Sequence, residues 1–138
     1  MDIRTEDAAP AASAIDARLL LVVYVRALSF IFILSGLQRW GTILGPLSPS
    51  GDFLSLAPEV MVATIFFSVA DLVAAVGLWL LASWGTVVWL IAALTEVVLH
   101  TVFKDIFGLD ITLIAFHVAT VIVYAGLTAL YERLKPDV

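Results

Sequence analysis

The sequence predicts an all-α integral membrane protein, an antiparallel four-helix bundle. Three observations carry that reading. Hydrophobic residues make up 62% and charged residues 14% of the chain, against about 45–50% and about 25% in a soluble domain. Four separate stretches are apolar enough and long enough to cross a bilayer. The links between the second, third and fourth are too short for anything but neighbouring helices that reverse direction.

Residues 1–18, MDIRTEDAAPAASAIDAR, are acidic and rich in alanine. They read as an N-terminal cytoplasmic tail, disordered over the first dozen residues, with Ser13 to Arg18 beginning a helix at the membrane interface. The apolar run that follows is long and no small-residue cleavage site closes it, so no signal cleavage is expected. A crossing of about 30 Å takes roughly 20 helical residues. The predicted spans are 19–37, 59–82, 84–103 and 109–131, followed by a C-terminal tail, 132–138. Pro58 suits the first turn of the second span. SWG (83–85) and KDIFG (104–108) read as tight turns, with Gly108 a stop signal. The stretch 38–58 holds three prolines, three glycines and three serines, which mark a long loop.

Four crossings place both termini on one side. Arg4, Arg18, Arg133 and Lys135 flank the membrane there, against Arg39 and Lys104 on the other. The positive-inside rule then puts both termini in the cytoplasm, and the expected location is the bacterial inner membrane. Trp79, Trp84 and Tyr131 would form the inner aromatic belt and Trp40 the outer one. Small residues at helical spacing, Ala70/Ala74, Ala115/Ala119 and Ala125/Ala129, would allow close helix approach.

The net charge of −5 lies largely in the tails, and without a basic patch nucleic acid is not an expected partner. The absence of cysteine excludes thiol–disulfide catalysis, cysteine-ligated iron–sulfur clusters and cysteine zinc sites.

The candidate functional residues are the few ionisable ones within the spans, where Asp, Lys or Arg costs about 2.5–3.5 kcal/mol to insert near a helix centre. At about 1.5 Å per residue, Asp71 lies near mid-membrane and Arg26 about 6 Å from it in depth. An Arg26–Asp71 ion pair is expected; in the other arrangement Arg26 snorkels to the headgroups and Asp71 carries a proton. In TEVVLHTVFKD, Glu96, His100 and Lys104 recur every four residues and share a helix face. His117 of the next span falls at the depth of Glu96, and Arg39 at the outer end. Two readings stay open: an outward-facing polar pocket of Glu96, His100, His117, Arg39 and Lys104 that handles protons or a ligand, or an interhelical clasp that sets helix register. No metal site is expected, since ligand spacing of the HExxH kind is absent. A bis-histidine haem is disfavoured because His100 and His117 differ in depth by about 7–8 Å.

VVYVRALSFIFILSG in the first span, ADLVAAVGLWLL in the second, and the late histidine of the third resemble the small four-helix membrane proteins of the DoxX-like group. AVGLWLLASWGTVVWLIAALTEVVLHTVF is more closely similar to an uncharacterised family of bacterial membrane proteins of about this length. The likeness covers residues 20–131. It implies a bundle that partners oxidoreductase assemblies, some of them quinone-linked, with Arg26, Gly36 and the outer polar group at matching positions. The function expected first is a non-catalytic accessory or scaffolding subunit, its partners the lipid bilayer and other membrane subunits or further copies of itself. No resident cofactor is then expected. One alternative is a quinone-binding oxidoreductase subunit, with Glu96 or His117 exchanging protons and Trp40 or Phe103 stacking on the ring. The other is a small proton-coupled transporter using Asp71, Glu96 and His117 as a relay.

Overall fold

A computed structural model describes residues 8–48 and 51–135. The described residues form five α-helices and a single 3₁₀ turn, with no strand among them. The helices are α1 (Ala8–Ile43), α2 (Pro58–Trp79), α3 (Ser83–Thr101), α4 (Lys104–Phe107) and α5 (Ile111–Leu134); the 3₁₀ turn is Phe53–Ser55. Four of them, all but α4, are long and apolar enough to cross a membrane. The expected disorder of the first dozen residues falls partly outside the description, together with Arg4; from Ala8 onward the chain is helical.

The largest departure from expectation is the length of α1. The first span was expected to end at Leu37, but the helix continues to Ile43. Residues 38–43, QRWGTI, contain no proline, and one glycine is a tolerable cost in a helix interior. The chain turns only at Gly45, whose φ of +101° is a conformation that suits glycine. Arg39 therefore sits on a helix rather than in a loop.

The links differ from the predicted ones as well. SWG is not a turn but the start of α3, and α2 stops at Trp79. The reversal uses Leu80, Leu81 and Ala82. The Ala82 amide donates to the Gly77 carbonyl (2.9 Å) and the Leu81 amide to the Leu78 carbonyl (3.0 Å). These are the two bonds of a Schellman C-cap, with Leu81 in the left-handed position at φ +55°. KDIFG forms the one-turn helix α4, and Gly108, at φ +80°, ends it. Asp110 then caps α5, its carboxylate accepting from the Leu113 amide at 2.9 Å. Pro58 occupies the first turn of α2.

Val25, Leu28 and Phe32 of α1 meet Ala74, Ala75 and Leu78 of α2 and Trp89 of α3 in one buried core. Two hydroxyls tie it together: Ser29 donates to the Ala75 carbonyl and Tyr24 to the Thr120 carbonyl, each at 2.6 Å. Close approach of α2 and α3 is set by a glycine pair, not by the alanine pairs singled out from the sequence. A Cβ on Gly85 would lie 2.2 Å from the Gly77 carbonyl carbon, and one on Gly77 would lie 2.4 Å from the Gly85 Cα. Ala115, Ala119, Ala125 and Ala129 are all exposed on α5. That helix has a single buried residue, His117.

Candidate functional site

Each of the four long helices sends a polar side chain to one buried cluster. On α1, Val25, Leu28, Phe32, Gly36 and Arg39 are spaced by three or four residues, which keeps them on one face. Gly36 packs where a Cβ would come 2.7 Å from the Leu72 side chain and 3.5 Å from the Asp71 Cβ. This close approach of α1 and α2 lets Ser35 and Arg39 reach Asp71. The Ser35 hydroxyl donates to Asp71 Oδ2 at 2.8 Å, and Arg39 Nε donates to the same oxygen at 3.1 Å. Arg39 Nη2 donates to Glu96 Oε1 of α3. The other carboxylate oxygen, Glu96 Oε2, lies 2.6 Å from His117 Nε2 of α5. The Arg39 guanidinium also covers the Phe67 ring, 4.9 Å from its centroid.

Asp71, Glu96 and His117 are 1%, 4% and 4% exposed, so the cluster is an interior one. A guanidinium whose two edges face two different carboxylates uses the planar fork that distinguishes arginine from lysine. It links α1, α2 and α3 through one side chain, and Glu96 extends the chain to α5. Its ionisable groups are two carboxyls, one guanidinium and one imidazole.

The expected Arg26–Asp71 pair is not formed; Asp71 is paired with Arg39. Arg26 is exposed, with its guanidinium 5.2 Å from the centroid of the Trp79 ring at the end of α2. The reasons are depth and rotation: Gly36, ten residues and about 15 Å further along α1, packs beside Asp71, whereas Arg26 lies at the level of Trp79. Arg39 lies fourteen residues after the buried Val25, close to four turns at 3.6 residues each, whereas Arg26 is the next residue and points about 100° away.

The column Glu96–His100–Lys104 also divides. Glu96 enters the cluster. His100 Nδ1 lies 2.9 Å from the Gly108 carbonyl, and its ring meets the Phe107 ring edge-on, so this histidine ties α3 to the end of α4. Lys104 is the exposed first residue of α4, because the third helix stops at Thr101 and the column ends with it. Among the described residues no three histidine, aspartate or glutamate side chains are grouped as metal ligands.

Two cavities reach the Arg39–Glu96 pair. One, of about 220 Å³, lies among α1, α2, α3 and α4 and includes His100 in its lining. The other, of about 380 Å³, is lined from α1, α3 and α5 and includes His117, Phe32 and Phe116. Trp40 and Phe103, expected to stack on a ligand, line neither. Ser35 and Phe116 were not anticipated. Ser35 stands four residues before Arg39, and that spacing was the available signal.

The fold and site define a helical protein with four potential membrane crossings knitted together by a buried ion-pair cluster. The chain belongs to a family of unknown function, DUF6163, which matches it over residues 19–135. The matched segment includes every member of the cluster. No curated protein and no solved structure matches the chain.

Proposed function

We propose that the chain crosses the bacterial inner membrane four times as an antiparallel bundle, with both termini in the cytoplasm, and serves as a non-catalytic accessory subunit of a larger membrane complex. The observation that carries this reading is the mutual pairing of its interior charges. Arg39 binds Asp71 and Glu96, and Glu96 binds His117, so the ionisable groups hold four helices in register. A buried polar network of this kind sets one arrangement of a bundle at a cost in stability. The resemblance to DoxX-like proteins points in the same direction.

The uncovered surface of α5 supports a docking role, since only His117 of its 24 residues is buried. A proton relay finds less support. Asp71, Arg39, Glu96 and His117 are joined by direct contacts into one compact group, which is short against a core of about 30 Å.

The test is purification of the full chain from its native membrane in mild detergent. A stoichiometric membrane partner that leaves with it is the expected result. Migration of the chain alone, at the mass of one copy with its detergent, would sink the accessory reading.

A further inference from the structure

A cavity of about 300 Å³ opens at the other end of the bundle, beside the α2–α3 reversal and the C-terminal part of α5. Arg18, which lines it, stands about 30 Å along α1 from Arg39, so this cavity is separate from the ion-pair cluster. Arg18, Ser83 at the start of α3 and Tyr131 near the end of α5 form its mouth. Val22 and Val25 follow about 6 and 10 Å further in along α1, and Tyr124 about 10 Å further in along α5. The entrance is therefore polar and charged, and the walls behind it are mainly apolar.

The polar side chains of this lining are one guanidinium and four hydroxyls, from Arg18, Ser83, Thr86, Tyr124 and Tyr131. All five can donate a hydrogen bond, and no carboxylate stands among them. The side chains of Arg18, Ser83 and Tyr131 form no hydrogen bond or ion pair with another described residue. Asp16 and Glu132, the acidic residues nearest in sequence, are exposed and lie outside the lining. α3 begins here without a side-chain cap, which leaves the positive end of its dipole facing the same region. Trp79 and Trp84, exposed at this end, are residues suited to the level of lipid headgroups. A positive, donor-rich mouth above an apolar interior calls for an anion attached to a hydrocarbon chain.

We propose that this cavity binds the phosphate of an anionic phospholipid. Arg18 pairs with two phosphate oxygens through its planar fork. The Ser83 and Tyr131 hydroxyls donate to the phosphate as well, and the upper part of an acyl chain lies along Val22 and Val25. Basic pockets between membrane helices hold lipid headgroups in this way. A zwitterionic headgroup carries its own ammonium beside the phosphate and gains less from Arg18, so the site selects lipids of net negative charge. It requires the membrane crossings proposed above but not the accessory role.

The test is native mass spectrometry of the full chain released from detergent micelles, titrated with phosphatidylglycerol and phosphatidylcholine of identical acyl chains. One phosphatidylglycerol per chain should be retained, with an affinity at least about tenfold above that for phosphatidylcholine, the worth of a hydrogen bond to a charged group. Arg18→Gln should remove the preference; the residue is exposed, so the variant keeps the fold. Arg133→Gln removes an exposed charge at the same end but outside the lining, and should leave the preference intact. Equal binding of the two lipids, or a preference that survives Arg18→Gln, overturns the proposal. An equal loss in both variants assigns the preference to diffuse charge and overturns it too. Millimolar inorganic phosphate should not displace the lipid; displacement would make this a site for free phosphate and overturn the lipid assignment. Insertion is measured alongside, as resistance to carbonate extraction from proteoliposomes. A chain that is extracted sinks the membrane reading and this site with it, whereas one that resists extraction but binds both lipids alike sinks only the site.

Discussion

Arg39 shows how much one side chain decides in this molecule. Its guanidinium meets carboxylates from two other helices, and removing it leaves both without their cation in the interior. Breaking a buried pair by deleting one partner typically costs about 3–5 kcal/mol. Arg39→Gln should therefore lower the thermal midpoint in detergent sharply. Arg26→Gln, which loses an exposed contact with Trp79, should cost under about 1 kcal/mol. Equal losses in the two variants, read by thermal unfolding, would contradict the assignment. Leu81 offers a prediction of opposite sign. It holds a left-handed backbone at φ +55°, where glycine is at ease. Leu81→Gly should stabilise by about 1 kcal/mol, seen as a raised thermal midpoint.

At the scale of elements, the decisive contact is the crossing of α2 and α3. The atoms that a Cβ on Gly85 would strike are backbone atoms of Gly77 and Leu78, which cannot rotate away. Gly85→Val should force the helices apart and cost at least about 1–3 kcal/mol, as overpacking does. Gly126, on α5, has nothing within 4 Å of a built Cβ. There the helix propensity of alanine prevails, and Gly126→Ala should stabilise by roughly 0.5–1 kcal/mol. The two variants separate packing from propensity in one unfolding experiment. The extension of α1 to Ile43 acts at this scale as well, for it carries Arg39 past Asp71 on the buried face.

For the whole molecule, the proposed topology is open to labelling, because the chain has no cysteine to interfere. Leu54, 77% exposed in the segment between α1 and α2, and Glu132, exposed near the end of α5, lie on opposite sides of the membrane in the proposed arrangement. In intact spheroplasts a membrane-impermeant maleimide should label Leu54→Cys, and should reach Glu132→Cys only after permeabilisation. The reverse pattern would invert the topology while leaving the fold unchanged.

Composition and the lengths of apolar runs were enough to read four long helices, since each run must satisfy its own backbone and local signals such as Pro58 and Gly108 mark its limits. Glu96 and His117 could be matched from the sequence, because a short link between successive helices limits how far their depths can differ. The end of α1 was harder to read, because QRWGTI carries no strong stop and its polar residues resemble a loop until Gln38 and Arg39 are given a helical face. Which arginine meets Asp71 was decided only by the tertiary structure. Counting residues gives depth only from an assumed helix start, and α1 is longer than the predicted span; the level and the face of α1 that meet Asp71 are set by the contact of Gly36 with Leu72 and by the packing of Val25, Leu28 and Phe32 into the core.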